Sequence, residues 1–402
     1  VPPSGFSAIS SAGLTEPTVT DPSAYFQIAT WTGDGTAIAS GGKTITFGGN
    51  SNLSPDFLWV KRRNENRNHQ LYDSVRGLTK TIYSDLTDAE GTVAEGVSAV
   101  TSDGFTVGDN GGVNESSDTY VAWCWKAGGT PTADNTGSAS PTSGSIMIDG
   151  SASTSTLTTS NLYPKRASGS NVFKFGMIRY TGNGSGSTQT LANPFSWAPD
   201  IIFCKNMEAT DDWETFHSAL GSGSTSRMYL NKTDGADANS RINAVSTTQI
   251  TFVASASGVN PSSQDVMMYA WGKTPGAIGM GKYKGNGNAD GPNIVIDDGA
   301  SGFRPAYIMF KNVSRDGYGW SIFDVARDNK GNPNSTALAA NNATTDSSVA
   351  SYKHDITANG FKIRGNSGET NYSGDTIVYM AFAENPFGGS GVAQAKGRGP
   401  SP

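Results

Sequence analysis

The stretch SSDTYVAWCWKAGG at residues 116–129 contains Trp123, Cys124 and Trp125 in succession. A thiol between two indoles is compatible with a reactive cysteine, with an aromatic platform for a ligand, or with a buried β-strand. In a strand, successive side chains point to opposite faces, so both tryptophans would share one face and the thiol would lie on the other.

Histidines and cysteines elsewhere in the chain are the next candidates for nucleophilic or metal chemistry. A catalytic triad needs a histidine with fixed partners, and a zinc site needs several cysteine, histidine or carboxylate ligands at suitable spacing. His354 has only Asp355 beside it, and Cys124 and Cys204 alone form neither a disulfide scaffold nor a zinc site. We therefore predict no metal site and no cofactor.

Clusters of carboxylates are the last candidates, because paired acids can hydrolyse glycosidic bonds when one of them has a raised pKa. Asp88 and Glu90 form one cluster, and Asp211, Asp212 and Glu214 form another. Both clusters lie in polar segments, so we expect solvated surface charge there and predict no catalytic residues.

The charge and hydropathy of the chain exclude two kinds of partner. The formal net charge is -6, the sequence pI is about 5.2, and no run of Lys or Arg could follow a phosphate backbone. The longest apolar stretch, Thr376 to Ala383, is far shorter than the roughly 20 residues of a membrane helix. We expect no nucleic-acid partner and no membrane insertion. The sequence begins at Val1 rather than Met, and we expect that an upstream piece was removed or is missing.

One pattern occurs three times along the chain. Each copy begins with an aromatic residue and a Gly-x-Gly turn, at residues 31–35, 180–184 and 283–287. A proline and an apolar run that ends in lysine follow, at 54–61, 198–205 and 304–311. A second strand-like segment lies at 69–76, 213–220 and 320–327, and a last apolar segment at 118–125, 264–271 and 375–382.

The local pattern within each copy predicts strands. The unbroken apolar run indicates a strand buried on both faces, with its terminal lysine reaching water. Alternation of apolar and polar residues in the second segment predicts one inward and one outward face. DGF at 103–105 and NGF at 359–361 predict hairpins. Residues 85–96 are the one helix candidate, limited by a glycine to a turn or two.

The sequence therefore predicts an all-β protein of three tandem antiparallel β-sandwich repeats with little helix. The predicted units are an N-terminal arm (1–23), repeat 1 (24–128), a Ser/Thr/Gly-rich connection (129–170), repeat 2 (171–275), repeat 3 (276–388) and a Gly-rich tail (389–402). In the connection, the apolar patch at 145–148 is expected to form one extra strand.

The alignment of the three copies places the chemical candidates at interchangeable positions. The aligned groups are His69, Trp213 and Trp320; His217, Asp73 and Asp324; Cys124, Ala270 and Ala381; and Cys204, Val60 and Phe310. A position that holds histidine in one copy and tryptophan or aspartate in another is structural, and a cysteine that alternates with alanine is a packing residue. We predict a core strand at 118–125 and no enzyme activity.

The chain resembles a family of tandem-repeat bacteriophage structural proteins that are common in marine phages and are described as tail fibre or virion proteins. The matching segments are VPPSGF at 1–6, PDFLWVKRR and HQLYDSVRG within 55–77, TSDGFTVG at 101–108, SSDTYVAWCWKAG at 116–128, YKGNGNADGP at 283–292 and NYSGDTIVYMAFAENPF at 371–387. The entry to repeat 2 and the end after Phe387 depart from the family pattern. The resemblance implies a jelly-roll, concanavalin-like or SPRY-like sandwich in a virion appendage, and it implies no catalytic residues.

From the repeat and the resemblance we expect a tail fibre or receptor-binding protein, homotrimeric, that contacts a host surface glycan or protein. The alternatives are a capsid decoration or head-fibre protein, a polysaccharide-degrading enzyme, and a cellular adhesin or filament subunit. We expect it in the virion, assembled in the host cytoplasm, extracellular in the mature particle and bound to other virion proteins. Recognition is expected in the variable loops, at 62–68, 109–116, 206–212, 312–319 and 329–350, without an assignment of individual receptor-binding residues.

Overall fold

The structure is a computed structural model that describes residues 18–221, 227–253, 257–328, 331–348 and 350–384. Most of the predicted N-terminal arm, residues 1–17, and the whole predicted tail lie outside the described residues. Immediately before the first strand, Val19 is buried and the Asp21 carboxylate caps a short 3-10 turn at Pro22–Ala24.

Strands account for the regular structure of every repeat. Repeat 1 contains β1 (Phe26–Thr32), β2 (Lys43–Thr46), β3 (Phe57–Arg62), β4 (Gln70–Asp73), β5 (Lys80–Thr81), β6 (Gly91–Thr92), β7 (Val97–Thr101), β8 (Gly104–Val107) and β9 (Thr119–Trp125). The connection contains β10 (Ile146–Ile148), β11 (Ser151–Ala152) and β12 (Arg166–Gly169).

Repeats 2 and 3 follow the same plan. Repeat 2 contains β13 (Phe175–Asn183), β14 (Gln189–Ala192), β15 (Ile201–Asn206), β16 (Glu214–His217), β17 (Met228–Tyr229), β18 (Ile242–Val245), β19 (Gln249–Phe252) and β20 (Ser262–Trp271). Repeat 3 contains β21 (Ile278–Lys284), β22 (Asn293–Val295), β23 (Pro305–Asn312), β24 (Trp320–Asp324), β25 (Thr336–Ala339), β26 (Ser347–Ser348), β27 (His354–Thr357), β28 (Gly360–Ile363), the short helix α1 (Gly368–Asn371) and β29 (Thr376–Ala383).

Each repeat is a sandwich of an inner and an outer sheet, with a core of side chains from both. The inner sheets have the strand orders β1-β9-β3-β4, β13-β20-β15-β16-β17 and β21-β29-β23-β24-β25-β26. The outer sheets are β2-β8-β7, β14-β19-β18 and β22-β28-β27. The prediction of an all-β fold of antiparallel sandwiches with little helix is confirmed.

The predicted hairpins, the helix candidate and the extra strand of the connection can also be compared with the structure. The hairpins at 103–105 and 359–361 are confirmed, as β7 pairs with β8 and β27 with β28. The helix candidate at 85–96 is wrong, because this segment contains the two-residue strand β6 instead. Residues 145–148 supply β10, and the connection also contributes β11 and β12. No helix in the described ranges is long and apolar enough to span a membrane.

The last inner-sheet strand of each repeat along the chain, β9, β20 or β29, is buried on both faces over most of its length. In β9, Trp123 and Trp125 point into a core shared by the three repeats, whereas Cys124 lies in the core of repeat 1 alone. Burial raises the pKa of the Cys124 thiol well above its ordinary value. The WCW stretch is therefore a core strand, as the alignment of the copies predicts.

The shared core brings equivalent residues of the three repeats together. Trp125, Trp271 and Phe382 are in mutual contact, with ring centroids 5.9 Å apart for the two tryptophans and 5.3 and 6.5 Å from each to Phe382. Since each of these residues contacts the other two, the repeats form a ring with approximate threefold symmetry rather than a linear row.

Backbone hydrogen bonds close this ring at equivalent places. Between repeats 1 and 3, the N–H of Asp346 donates to Arg63 and that of Arg67 donates to Ala343. Between repeats 2 and 1, Asp211 donates to Thr87 and Glu90 donates to Met207. Between repeats 3 and 2, Ala236 donates to Val313 and Gly317 donates to Thr233. The segment that follows the lysine of each repeat thus pairs with a neighbouring repeat in one cyclic order.

The ring explains why the second strand differs from its prediction. Leu71 lies in the shared core, Tyr72 lies in the core of repeat 1, and the Asp73 side chain is fully buried. The expected outward face of this strand is wrong, because the neighbouring repeats cover it.

Candidate functional site

Two histidines lie at the boundaries between repeats. The Nε2 of His69 lies 3.0 Å from the carbonyl oxygen of Ala339 in repeat 3, and its Nδ1 accepts a hydrogen bond of 2.8 Å from Trp59. Nε2 therefore carries the proton. Burial lowers the pKa of His69 well below its ordinary value, so the imidazole stays neutral.

Tryptophans make the same bond at the two equivalent positions. Trp213 of repeat 2 donates to the carbonyl oxygen of Tyr83 in repeat 1 at 2.9 Å, and Trp320 of repeat 3 donates to that of Tyr229 in repeat 2 at 2.8 Å. His69, Trp213 and Trp320 are therefore one kind of N–H donor used three times around the ring. This is the structural position that the alignment predicts.

A second set of residues combines a buried ion pair within one repeat with a hydrogen bond from the next repeat. The Asp73 carboxylate accepts from Arg76 Nε at 2.5 Å and from the Tyr269 hydroxyl of repeat 2 at 2.6 Å. In repeat 3 the equivalent carboxylate is Asp324, and its guanidinium partner is Arg327. The donor that reaches Asp324 from repeat 1 is the Trp123 indole. Each carboxylate thus has a counter-ion within its own repeat and a hydrogen-bond donor from the next repeat.

Repeat 2 has an uncharged version of this site. His217 replaces the aspartate, and Leu220 replaces the arginine. The Nε2 of His217 lies 3.1 Å from the carbonyl oxygen of Tyr379 in repeat 3, and burial lowers the pKa of the ring to about 4. Met380 stands where the other boundaries have a tyrosine or tryptophan donor. The three substitutions fit one another, because a neutral imidazole that itself donates across the boundary needs neither a counter-ion nor a donor from the next repeat.

The lysine that ends the long apolar run, Lys61, Lys205 or Lys311, is fully buried, so the prediction that it reaches water is wrong. Lys61 Nζ donates to the carbonyl oxygens of Arg62, at 2.5 Å, and of Ala343 in repeat 3, at 3.2 Å. Burial lowers the pKa of each lysine to about 8. The lysines lie beneath the loops that close the ring, which is why water does not reach them.

The second carboxylate cluster also differs from its prediction. Glu214 is buried and makes a bidentate pair with Arg227, at 2.7 and 3.0 Å. Burial raises its pKa although Arg227 opposes the shift. The backbone of Asp211 bonds to repeat 1, and Asp212 pairs with Lys232. The cluster is a structural part of a repeat boundary, so the expectation of solvated charge is wrong for Glu214.

Three exposed loop tips are the free, equivalent features of the ring. Each contains a Gly-x-Gly turn and the residues at or just before the start of the last strand, most of which are exposed. Tip 1 is 33–36 with 115–117, tip 2 is 182–185 with 261–263, and tip 3 is 285–288 with 372–374. The second glycine of each turn has a φ of 63 to 73°, a conformation that favours glycine. The strand register places each tip at the end of the inner sheet opposite Trp125, Trp271 or Phe382.

Two repeated interactions hold every tip against its sandwich. The aromatic side chain before the turn donates to a backbone carbonyl, in the pairs Trp31 to Val113, Tyr180 to Val259 and Tyr283 to Thr370. The polar residue between the glycines forms a reciprocal pair with a buried asparagine, in the pairs Asp34 with Asn114, Asn183 with Asn260 and Asn286 with Asn371.

These asparagines were missed by the sequence interpretation. The signal is present, because Val-Asn, Val-Asn and Thr-Asn occur at 113–114, 259–260 and 370–371, although the sequence pattern predicts a variable loop at 109–116. The loops 62–68, 206–212 and 312–319 are likewise not free recognition loops, since they join neighbouring repeats. The tips lie outside these junctions between repeats.

The exposed residues of the three tips differ in chemistry, although the same two interactions hold each tip in place. Tip 1 is acidic, with Asp34 and Glu115, whereas tip 2 exposes serines. Tip 3 exposes Tyr372, and the guanidinium of Arg315 lies 3.8 Å from the centre of its ring. Among the described residues, Tyr372 is the one large aromatic side chain in the exposed class. A shared frame with different exposed residues is an arrangement suited to recognition.

Within the described ranges, no three His, Cys, Asp or Glu side chains are grouped so that they could hold a metal ion. No curated protein and no solved structure matches the chain. A family model matches residues 21–386, a span that includes the three repeats and the connection. The chain therefore belongs to the family described as a domain of unknown function, DUF7483.

Proposed function

We propose that this chain is a bacteriophage virion structural protein, a tail fibre or receptor-binding appendage whose loop tips contact the host surface. The observation that carries the proposal is the closed ring, which holds three equivalent tips in a fixed array and uses His69, His217, the buried lysines and several carboxylates for structure. The sequence resemblance to tandem-repeat phage proteins supports the same function.

Tip 3 is the part of the array that we assign to the receptor. Arg315 is fixed by Asp375, with Nε 2.7 Å from the carboxylate, and its guanidinium stacks on Tyr372. Tyr372 is 40% exposed, so part of its ring is available to a sugar or to an apolar side chain. Glu115 and Pro261 occupy the equivalent positions of the other tips and offer no such ring.

A capsid decoration or head-fibre protein is the second candidate. It is favoured by the approximate threefold symmetry of a single chain, which can sit coaxially on a threefold position of a shell. A polysaccharide-degrading enzyme would release reducing ends from host capsule or lipopolysaccharide, and an adhesin would form polymers without particles.

Electron microscopy of intact particles labelled with a gold-conjugated antibody against this chain tests the function and its location. Label at the tail supports the receptor-binding appendage, and label at the head supports the decoration protein. Particles that carry no label, from a culture in which the chain is expressed, would reject both.

Competition for adsorption tests the assignment of tip 3. Purified protein is expected to slow particle adsorption to host cells, and Tyr372→Ala is expected to weaken this competition by roughly tenfold, as for a loss of about 1.4 kcal/mol. Glu115→Ala at the equivalent position of tip 1 is the matched control and should compete like the unchanged protein. Equal competition by both variants contradicts the assignment.

A homotrimer remains part of the proposal, and the ring limits how it could form. The surfaces that join the repeats are occupied within one chain, so a trimer must use an outer surface. Sedimentation equilibrium distinguishes a 41.9 kDa monomer from a species of three times that mass. A monomer at all concentrations contradicts the homotrimer without affecting the other parts of the proposal.

A further inference from the structure

The first strand of each repeat lies at one side of the inner sheet of that repeat, and what lies beside this strand differs among the three repeats. β1, β13 and β21 are equivalent, since Phe26, Phe175 and Ile278 pair with Trp125, Trp271 and Phe382. An uncovered edge presents unpaired N–H and C=O groups that can accept a further strand. The comparison therefore shows which edges are filled within the chain.

In repeat 2 the edge is filled by the connection. β12 pairs antiparallel with β13, and β10 pairs with β12 in turn. Phe175 and Arg179, whose backbone groups point away from β20, accept hydrogen bonds from Ser170 and Lys165 at 2.8 and 2.7 Å. The segment directly upstream of repeat 2 thus extends its inner sheet.

In repeat 3 the edge is covered in part by the last residues of repeat 2 and in part by repeat 3 itself. The N–H of Ile278 donates to Thr274, and that of Met280 donates to the carbonyl oxygen of Asp297, at 3.0 and 2.9 Å. Lys282, further along the strand, is exposed.

In repeat 1 the edge is open as far as the described residues are concerned. Tyr25 and Gly33 bond to the β9 side, so the backbone groups of the intervening even-numbered residues, including Ile28 and Thr30, point away from β9. In the part of the chain that the structure describes, β1 has no pairing partner besides β9. Thr30 and Thr32 are exposed, and the side chains along this edge carry no charge that would discourage strand addition.

We propose that the edge of β1 is a strand-acceptor site and that its occupant is the segment upstream of repeat 1 in the same chain, residues 1–17. This segment lies upstream of β1 in the chain, as the connection lies upstream of β13. It also shares a local pattern with the connection, because PPSG at 2–5 matches PTSG at 141–144, and FSAI then stands where the connection has SIMI, the segment of β10 that extends the sheet beyond β12.

The length of the segment is sufficient. A four-residue strand covers about 13 Å, and 17 residues can span roughly 56 Å at about 3.3 Å per residue. The two serine- and alanine-containing runs, FSAIS at 6–10 and SSAG at 10–13, contain no proline that would prevent pairing.

Hydrogen–deuterium exchange of the full chain and of a chain lacking residues 1–17 tests this proposal. The peptide covering 26–32 is expected to contain amides that exchange at least about tenfold more slowly in the full chain, because the added strand protects Ile28 and Thr30. The peptides covering 278–284 and 118–125 serve as controls and should be the same in both chains. Equal exchange of 26–32 in the two chains overturns the proposal.

A proline at the edge provides a second test that does not require truncation. Thr30→Pro removes an outward N–H without removing a hydrogen bond to β9, so the sandwich is retained while strand addition is blocked. The full-length variant should exchange at 26–32 like the truncated chain, whereas Lys282→Pro at the equivalent position of repeat 3 should not. Protection that disappears on dilution would identify a second copy as the donor and would also overturn the proposal.

Discussion

The two faces of each inner sheet pack against different partners. One face meets the outer sheet of its own repeat, where Cys124, Ala270 and Ala381 occupy equivalent positions. The other face meets the neighbouring repeats, where Trp125, Trp271 and Phe382 are in contact. At this position small residues suffice because the sandwich supplies its own second layer. Large aromatic rings at the neighbouring position reach across to another repeat.

This difference shows how one strand specifies two levels of structure. The alternation of β9 encodes the sandwich through Cys124 and the ring through Trp123 and Trp125. The ring face also carries the buried polar groups, such as Asp324, whose partners come from two repeats. We therefore expect substitutions on the ring face to affect the whole chain and substitutions on the sandwich face to affect it less.

Removal of Asp324 should give the largest effect. Asp324→Ala leaves the buried Arg327 guanidinium with only the partly buried Asp346 as its counter-ion and the Trp123 indole without its acceptor. It should lower the free energy of unfolding by about 4 kcal/mol. Chemical denaturation followed by tryptophan fluorescence measures this loss. A loss below about 1 kcal/mol would show that the ion pair does not stabilise the ring.

A transplant of the uncharged site of repeat 2 is the matched control. The variant Asp324→His, Arg327→Leu and Trp123→Met introduces at this boundary the residue types of His217, Leu220 and Met380. We expect it to lose less than about 2 kcal/mol, since no buried charge is left unpaired. A loss as large as that of Asp324→Ala would contradict the exchange of charged and uncharged sites between boundaries.

The two faces of β9 can be compared directly by two adjacent substitutions. Trp125→Ala removes contacts with two other repeats and should cost about 3–4 kcal/mol, whereas Cys124→Ala, which introduces the residue of the other copies, should cost about 1 kcal/mol. Differential scanning calorimetry should show one transition for the unchanged chain and more than one for Trp125→Ala. A single sharp transition in both variants would contradict the role of Trp125 in joining the repeats.

The buried lysines predict a pH dependence that belongs to the ring face. Lys205 Nζ donates to the carbonyl oxygens of Asn206 and Ala209 at 2.6 and 3.3 Å, and burial lowers its pKa from 10.5 to about 8 although the carboxylates of Asp211, Asp88 and Asp212 oppose the shift. Between these pKa values the unfolded chain binds more protons than the folded chain, so this lysine contributes stability as the pH rises from 8 towards 10.5.

Lys205→Met isolates this contribution. The difference in unfolding free energy between the variant and the unchanged chain cancels the titration of tyrosines and cysteines, which acts in the opposite direction at high pH. Relative to the unchanged chain, the variant should lose about 1–2 kcal/mol between pH 7 and pH 9.5. Lys284→Met, at an exposed lysine, is the control and should show no such change. A pH-independent difference for Lys205→Met would contradict the depressed pKa.

The sandwiches were predictable from the sequence, whereas the ring was not. Alternation along 118–125 and the alignment of Cys124 with alanines indicate a core strand, because these signals depend on neighbours in the same repeat. The burial of Lys61 and of Asp73 depends on a different repeat that covers them, and no local pattern reports this. The alignment of the copies shows that repeat 2 has His217 in place of aspartate and that repeat 3 has Met380 in place of a tyrosine or tryptophan. Only the contact between repeats 2 and 3 explains why these two differences occur together.

Loss of a tip asparagine should give the smallest effect and should stay within one tip. Asn260 pairs with Asn183 through two hydrogen bonds of 2.9 and 3.0 Å, and neither residue belongs to the shared core. Asn260→Ala should therefore cost only about 1 kcal/mol, in line with the net value of ordinary hydrogen bonds. Hydrogen–deuterium exchange should become faster at 182–188 and remain unchanged at 33–36 of tip 1. Asn260→Asp keeps the acceptor for the Asn183 backbone and should have an intermediate effect, and faster exchange at every tip would show that the tips and the ring are coupled.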